Sequence, residues 1–238
     1  MQQYDEIGKS YSEMIRVDPI KIFVQRPCAL SLLGNIKGKS VLDVGCGDGI
    51  ISRMLAKEGA SVVGFDPSEK LIASAQSDEE KYPLRIKYFV KDIQSFNSKE
   101  KFDNAVAVMV LCFAKSEKEL QAFFNKIYSL LDKGASFSVV DIDGSALFPG
   151  INYYGRKFLF KGKKPIGVEW HVPGAPVSKT FANYFSKEVY GNCAKIAGFK
   201  KVTLAPIIPN KEGVKELGEE YWGDFVKKPV WFGLSAVK

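Results

Sequence analysis

The sequence predicts an α/β fold, in which helices cover both faces of a parallel β-sheet. Two hydrophobic periods alternate along the 238 residues: short apolar runs rich in β-branched residues, and stretches with apolar residues every three or four positions. Parallel strands need long crossover connections, and a helical stretch between successive runs supplies them. The apolar runs predict five successive strands, at 40–45, 61–65, 85–90, 104–110 and 135–142.

Two helices and two further strands are predicted in the second half of the chain. A helix behind a cap at Ser186 ends at Gly198 and precedes a strand at 199–205, and the apolar run 230–237 predicts a strand inside the sheet. Gly134 is placed to end the other helix. Its apolar stripe comprises Leu120, Phe123, Phe124, Ile127, Leu130 and Leu131.

Composition excludes several classes of protein. Hydrophobic residues make up 46% of the chain, enough for a sizeable core, which excludes general disorder. The longest apolar run, 105–114, is too short for a membrane helix, and the amino terminus lacks an apolar signal region, so we expect a soluble, cytoplasmic protein that does not enter membranes. The four cysteines form no CxxC pair, which predicts reduced thiols and no metal site.

We expect a single domain over 1–238 with two covering segments. Residues 1–36 stand outside the strand and helix alternation and predict a helical cover across one end of the sheet. The segment 143–180 is too long for an ordinary connection, so we expect an insertion on the substrate side, over the carboxyl ends of the strands.

The segment VLDVGCGDGI, 41–50, carries the clearest chemical signal. A buried strand runs into Gly45, Gly47 and Gly49, and a helix follows. Glycines there permit a tight turn and bring backbone N–H groups to a ligand at the positive end of the helix. The spacing is GxGxG rather than the GxGxxG of dinucleotide sites, because Ile50 stands where the third glycine would fall.

This segment resembles the first motif of the class I S-adenosylmethionine-dependent methyltransferases. The resemblance extends across nearly the whole chain and implies a Rossmann-like three-layer sandwich, with a seven-stranded, mostly parallel sheet, an antiparallel last strand and an insertion after the fifth strand. It also implies S-adenosylmethionine as the cofactor. On this resemblance, Gly45, Cys46 and Gly47 contact the cofactor through the backbone, and Asp43 anchors the turn or the amino group.

The same resemblance assigns residues at three following strand ends. Asp66, in VVGFDPS, matches the acid that accepts both ribose hydroxyls, and Pro67 follows it. Asp92 and Ile93, in YFVKDIQSF, match the adenine position. Met109, at the end of the fourth predicted strand, completes this part of the expected cofactor site.

The amino-terminal residues leave two interpretations open. Tyr4 and Tyr11 match a tyrosine that closes on the cofactor's carboxylate in the family, but their helical spacing equally fits core packing. Arg16 or Lys21 could supply the charge opposite that carboxylate, although a solvated surface position is the favoured interpretation for either.

Methyl transfer requires mainly orientation of the acceptor and exclusion of water, so a general base is optional. The only histidine, His171, falls in the expected insertion and is a candidate catalytic residue, although a packed strand residue is its more frequent role. The end of the fourth strand, 110–113, offers no base. Other candidate bases near the insertion are Asp141, Asp143, Tyr153 and Tyr154.

The predicted acceptor is a small, planar or heteroaromatic molecule methylated on nitrogen or oxygen. The carboxyl-terminal stretch, 212–238, and the tyrosine-rich segment 4–11 resemble the toxoflavin-synthase-like methyltransferases, which methylate a fused heterocycle. Aromatic residues in the insertion could form a pocket for such a ring or simply hold the segment together: Phe148, Tyr153, Tyr154, Phe158, Phe160 and Trp170.

Three other functions remain open. The formal charge of +7 and the basic segment 156–164 would suit an RNA methyltransferase, although the motif of base-modifying relatives is missing and nucleic acid is not the expected partner. A nicotinamide-dependent oxidoreductase would also place an acid at Asp66. A catalytically silent cofactor-binding partner protein would share the same sheet. The oligomeric state is not readable from the sequence.

Overall fold

The structure is a computed structural model that describes residues 15–171, 173 and 177–238. A seven-stranded sheet with the order β3-β2-β1-β4-β5-β10-β9 forms the centre, and a three-stranded sheet, β6-β7-β8, stands beside it. The strands are β1 (Ser40–Val44), β2 (Ser61–Asp66), β3 (Lys87–Val90), β4 (Phe102–Val108), β5 (Leu131–Ile142), β6 (Arg156–Lys161), β7 (Lys164–Trp170), β8 (Ser178–Phe181), β9 (Lys200–Pro206) and β10 (Trp231–Val237).

Helices cover both faces of the large sheet, as predicted. Their bounds are α1 (Arg26–Leu33), α2 (Ile50–Lys57), α3 (Glu69–Lys81), α4 (Glu117–Leu130), α5 (Lys187–Ala197) and α6 (Lys211–Lys227). One buried cluster includes Leu33 of α1, Leu55 of α2 and Phe225 of α6. The other includes Phe124 of α4 and Tyr190 of α5. Each cluster removes one face of the sheet from water, which gives the three-layer sandwich.

The topology confirms the expected Rossmann-like class. Strands β1 to β5 pair in parallel, whereas β10 is antiparallel to both β5 and β9. The strand order reverses beside β1, between β1 and β4, and in such sheets ligands bind where the order reverses, at the carboxyl ends of the strands.

The boundary between α4 and β5 differs from the prediction. The helix ends at Leu130, and Leu131, predicted as helical, already belongs to β5. Gly134 therefore lies within the strand, at φ 82°, and its N–H donates to the carbonyl of Lys238 at 2.9 Å. An apolar residue at position 131 satisfies a helical stripe and a buried strand end equally, so periodicity alone could not separate the two.

Two strands begin or end elsewhere than predicted because the backbone turns. Strand β3 starts at Lys87 rather than at 85, since Arg85 adopts φ 65° and the Ile86 N–H donates to the Glu79 carboxylate at 3.2 Å. Strand β4 ends at Val108 rather than at 110, since Met109 adopts φ 57°.

The expected amino-terminal cover is helical where it is described. Residues 1–14, which include Tyr4 and Tyr11, lie outside the described residues. A π-helical turn over Lys21–Gln25 leads directly into α1. Phe23 of this turn packs against the backbone of α6 at Gly213, and its carbonyl accepts from the Asn210 N–H at 2.8 Å.

The insertion after β5 contains the three-stranded antiparallel sheet, which the sequence pattern did not predict. Its far end is tied to the carboxyl end of β4, where the Asn183 N–H donates to the Cys112 carbonyl at 2.8 Å. Its start is tied to α6, where the Tyr153 hydroxyl donates to the Lys228 carbonyl at 2.9 Å. The insertion therefore lies over the carboxyl ends of the strands.

The four cysteines are free thiols, and Cys46, Cys112 and Cys193 are buried. Across 15–171, 173 and 177–238, no helix combines the length and the apolar character needed to cross a bilayer.

Candidate active site

A cleft of about 940 Å³ opens at the carboxyl ends of the parallel strands. It is bordered by the glycine turn, by the residues after β2, β3 and β4, and by the end of β8 in the insertion. Most of the cofactor residues expected from the sequence line it, namely Gly45, Gly47, Asp66, Pro67, Asp92, Ile93 and Met109.

The glycine turn has a backbone that only glycine adopts without strain. Gly45, Gly47 and Gly49 lie at φ 68°, 56° and 78°. At Gly45 an added Cβ would come within 2.1 Å of the Val110 side chain, so the close approach of the strand end after β4 also requires glycine. Helix α2 begins at Ile50, directly after the glycine turn, so its positive end lies beside the turn.

Asp66 is held rigidly at the rim of the cleft. One carboxylate oxygen accepts from the Gly47 N–H at 3.2 Å, and the other accepts from the Ser68 N–H at 2.9 Å. A carboxylate offers about four lone-pair positions, so a group of this kind can accept several hydrogen bonds at once, including those of two vicinal hydroxyls. The side chain thus links the glycine turn to the start of α3.

Asp92 and Ile93 lie side by side after β3. The Asp92 carboxylate accepts from the Ser95 N–H at 2.7 Å, and this bond holds its pKa below the usual range, so the group is ionised at neutral pH. Ile93 is buried and presents an apolar surface to the same part of the cleft. A hydrogen-bond acceptor beside an apolar surface suits a flat nitrogen heterocycle that carries an amine, because the amine donates to the acceptor and the ring packs on the apolar surface.

Met109 adopts a positive φ, which is uncommon for a residue with a side chain. Its N–H donates to the Val140 carbonyl at 2.8 Å, and its side chain borders the cleft. Strained backbone of this kind is held in place by its surroundings and occurs often at functional sites.

Asp43 and Cys46 lie behind the turn rather than in the large cleft. The Asp43 carboxylate accepts from the Ser52 hydroxyl at 2.6 Å and so joins β1 to α2, and burial raises its pKa to about 7. Burial also raises the pKa of the Cys46 thiol well above its usual value, so the thiol stays protonated.

A smaller cavity of about 80 Å³ adjoins the other side of the glycine turn, and both cavities share Gly45 and Gly47 as lining residues. Two buried polar atoms in its lining, Gln25 Nε2 and Asp48 Oδ2, have no hydrogen-bond partner among the described residues. Lys21 and Arg26 line it as well. A small zwitterion matches these groups, because its negative end suits the buried donor and the two cations and its positive end suits the buried acceptor.

Sequence reasoning missed most of this cavity. Lys21 had been weighed as a solvated residue but is only 8% exposed, and Gln25 and Arg26 carried no sequence signal. Asp48 lies within the glycine motif, so its position in the sequence could have indicated that it belongs to the site. Burial raises its pKa, while the nearby cations Arg16 and Arg26 oppose that rise.

None of the candidate bases lines either cavity. His171 follows β7 with its side chain 46% exposed, and its ring bonds to the Glu169 carboxylate at 2.8 Å, so it is not the packed residue that was the more frequent expectation. Asp141 is fully buried beneath the cleft and accepts from the Cys112 N–H at 3.1 Å. Asp143, Tyr153 and Tyr154 bond to their own segment or to α5 and α6.

The outer end of the cleft is aromatic, but not with the aromatic residues expected. Phe113, Phe123 and Phe181 line it together with Asn183. The predicted set, Phe148, Tyr153, Tyr154, Phe158, Phe160 and Trp170, does not line it: Tyr153, Phe158 and Trp170 are buried as core, and Phe148 is exposed. Lys115 and Glu119 add charge at this end, and sequence reasoning missed both.

Comparison with known proteins agrees with this geometry. A family model described as a methyltransferase domain matches residues 41–134. A protein of Geobacillus sp. (strain WCH70), named as a candidate methyltransferase, is 30% identical over 165 residues, which cover 66% of this chain and 61% of that protein. A ubiquinone biosynthesis O-methyltransferase of Coxiella burnetii (strain RSA 493 / Nine Mile phase I) is 52% identical over 59 residues, 25% of each chain. The chain thus spans less than two thirds of either relative.

The fold is shared over almost the whole chain. The crystal structure of an S-adenosylmethionine-dependent methyltransferase from Mesorhizobium loti superposes with a TM-score of 0.69 at 17% identity, covering 94% of this chain and 100% of that one. With the sheet order and the glycine turn, these matches define a class I S-adenosylmethionine-dependent methyltransferase fold. Over residues 41–134 the chain matches the methyltransferase domain model, and its fold is that of these solved methyltransferases.

Proposed function

We propose that the protein is an S-adenosylmethionine-dependent methyltransferase that transfers a methyl group to nitrogen or oxygen of a small, planar or heteroaromatic molecule. The observation that carries the proposal is the convergence of the glycine turn, Asp66 and Asp92 on one cleft. The family match over 41–134 supports it.

The residues present fit the cofactor. The carboxylate of Asp66, which lines the cleft, suits two vicinal ribose hydroxyls, and Asp92 beside Ile93 suits adenine with its amine. The smaller cavity suits the amino-acid end, because Gln25 Nε2 and the cations suit a carboxylate and Asp48 suits an ammonium group. Tyr4 and Tyr11 remain proposed contacts. When bound, S-adenosylmethionine supplies a methyl group made electrophilic by the adjacent sulfonium.

The chain's own part in the reaction is to orient the acceptor and exclude water. Phe113, Phe123 and Phe181 offer flat apolar surfaces on which a ring can lie. Met109 and Val110 supply apolar walls at the end of β4, and the one titratable side chain among residues 109–113, Cys112, is buried outside the cleft lining. A heteroaromatic nitrogen or a phenolate brings its own lone pair and needs no base there, which favours those acceptor classes.

A titratable side chain at the outer end of the cleft offers a base for a methyl acceptor that must lose a proton. Glu119 lines the cleft, and its carboxylate accepts from the Lys115 N–H at 2.5 Å. For an acceptor that must lose a proton, Glu119 is a better candidate than His171, because His171 lies outside the cleft lining. The Coxiella burnetii relative, which matches over 59 residues, is named as an O-methyltransferase, which supports oxygen as one of the proposed acceptor atoms.

The test has two stages. Calorimetry should show micromolar binding of S-adenosylhomocysteine and no response to NAD, and binding of NAD instead would support the oxidoreductase. Incubation with a small-molecule extract and labelled cofactor should then produce a compound heavier by one methyl group in a mass spectrum. The absence of any methylated product, with the cofactor bound, would favour the silent partner protein.

We propose that RNA is not the substrate and that the basic segment is a solvated surface. Arg156 points into the core and is 1% exposed, which leaves four exposed lysines of that segment on the surface of the insertion. Lysines there are compatible with a solvated surface. A gel shift with single-stranded RNA should show no strong binding, and tight binding that weakens steeply with salt would reverse this conclusion.

A further inference from the structure

Trp170, the last residue of β7, is a buried junction between the insertion and the amino-terminal cover. Its indole is 4% exposed and lies between two cations: Lys21 Nζ at 5.9 Å from the ring centroid and Arg156 Cζ at 5.0 Å. The indole N–H donates to the Thr180 hydroxyl of β8 at 3.0 Å, which fixes the orientation of the ring.

Lys21 reaches from this junction into the smaller cavity. It lines that cavity with Gln25 and Gly47, and it is only 8% exposed. A lysine side chain has a flexible four-carbon stem, so the position of its ammonium group depends on what packs against it. The indole of Trp170 is such a contact.

Arg156 holds the backbone that carries Lys21. Its guanidinium pairs with the buried carboxylate of Asp18, and the other carboxylate oxygen of Asp18 accepts from the Ile20 N–H at 3.0 Å. The Asp18 carbonyl also accepts from the Ile22 N–H at 3.0 Å. The insertion therefore fixes both the side chain of Lys21 and the helical turn on which it lies.

We propose that Trp170 and Arg156 are positioning residues for the amino-acid end of the cofactor and that they act through Lys21. The insertion then completes the cofactor site, as well as bordering the outer cleft through Phe181 and Asn183. This inference rests on the proposed function, because it assumes that the smaller cavity receives that end of S-adenosylmethionine.

Two ligands separate this role from a general loss of structure. S-adenosylhomocysteine carries the amino-acid chain, and 5′-methylthioadenosine is the same nucleoside without it. The variants are Trp170→Leu, which removes the ring, Trp170→Phe, which keeps a ring, and Lys21→Met. Trp222→Leu is a matched control, because Trp222 is also buried but lines neither cavity. Lys238→Met is a second control. It removes a lysine whose Nζ lies 4.3 Å from the centroid of another aromatic ring, that of Tyr128.

Calorimetry on the full chain should show that Trp170→Leu and Lys21→Met weaken S-adenosylhomocysteine about tenfold or more, while 5′-methylthioadenosine changes less than about twofold. Trp170→Phe should retain more affinity than Trp170→Leu, and both controls should keep the wild-type ratio of the two affinities. If Trp170→Leu does not fold, Trp170→Phe and Lys21→Met decide the question.

Parallel weakening of both ligands, or no weakening of either, would overturn the positioning role while leaving the proposed function intact. A wild-type protein that binds neither ligand would instead contradict the proposed function itself.

Discussion

The guanidinium of Arg156 and the carboxylate of Asp18 form an ion pair in which both side chains are 1% exposed, although 138 residues separate them in the sequence. Arg156 also donates to the Tyr154 carbonyl at 2.6 Å and lies over the Trp231 ring at 5.3 Å. The pair joins the amino-terminal cover to the insertion. A buried ion pair thus joins the insertion, which borders the cleft, to the cover, which lines the smaller cavity.

Removing one partner of this pair should be strongly destabilising. We expect Arg156→Met to lower the free energy of unfolding by about 3 to 5 kcal/mol, because the Asp18 carboxylate remains buried without its cation. The double variant Arg156→Met/Asp18→Asn should recover part of that loss. Urea denaturation of the wild type, the single variant and the double variant measures these free energies of unfolding.

The matched control for this pair is Arg16→Met. Arg16 faces Asp78 at 3.7 Å with both side chains well exposed, so its loss should change stability by at most about 1 kcal/mol. Equal effects of Arg156→Met and Arg16→Met would show that the buried pair contributes no more than the surface pair.

Substitution of Gly45 should combine backbone strain with a clash. Gly45 and Gly38 have similar φ values, 68° and 73°, but a Cβ at Gly38 would meet nothing within 4 Å, whereas one at Gly45 would meet Val110. Gly38→Ala should therefore lower stability by about 1 to 2 kcal/mol through strain alone.

Gly45→Ala should lower stability further than Gly38→Ala and abolish binding of S-adenosylhomocysteine, because the turn and the end of β4 must move apart. Thermal denaturation and calorimetry measure the two effects. Intact binding in Gly45→Ala would show that this close approach is not needed for the cofactor.

The buried carboxyl group of Asp43 should make stability depend on pH. Its pKa is raised to about 7 in the folded protein from 3.8, so folding favours the neutral form. This contribution is fully present below pH 3.8, the unfolded pKa, and is lost as the pH rises through about 7.

Asp43→Asn removes that titration while keeping an oxygen for the Ser52 hydroxyl. Relative to wild type, the variant should gain about 3 to 4 kcal/mol in free energy of unfolding between pH 4 and pH 7.5. Denaturant titrations at several pH values give the difference. A difference that does not vary with pH would contradict the raised pKa.

The ribose role of Asp66 has a matched control at the opposite end of the sheet. Asp66→Asn should weaken S-adenosylhomocysteine on the order of 100-fold, because two charge-assisted hydrogen bonds are reduced. Asp103 also accepts from a backbone N–H, that of Ser40 at 2.8 Å, but it belongs to β4, beside the start of β1, and lines neither cavity.

Asp103→Asn should therefore leave the affinity for S-adenosylhomocysteine unchanged. If both substitutions weakened binding equally, the effect of Asp66→Asn would come from general loss of structure and not from the ribose contact.

The sequence predicted the part of the site that local chemistry determines. Gly45 and Gly47 were predictable because their turn needs positive φ, and Asp66 and Asp92 because carboxyl ends of parallel strands meet at one edge of the sheet. The family resemblance added the expected role of each residue. The antiparallel direction of β10 came only from that resemblance, since an apolar run carries no direction.

The remainder depends on packing between distant segments. Gln25 and Arg26 reach the smaller cavity only because the cover docks beside the glycine turn, and no pattern within the cover signals that placement. The antiparallel sheet of the insertion escaped prediction because its strands are short and interrupted by glycine, proline and lysine. For the same reason, the sequence could not decide whether Trp170 borders the acceptor or packs within the insertion, and it lies in the core.

The most direct measurement is a crystal structure of the protein grown with S-adenosylhomocysteine. We predict the ribose hydroxyls on Asp66, the adenine beside Asp92 and Ile93, and the amino-acid end in the cavity lined by Lys21 and Gln25. A nucleoside bound elsewhere, or an empty cleft at a saturating concentration, would contradict the account.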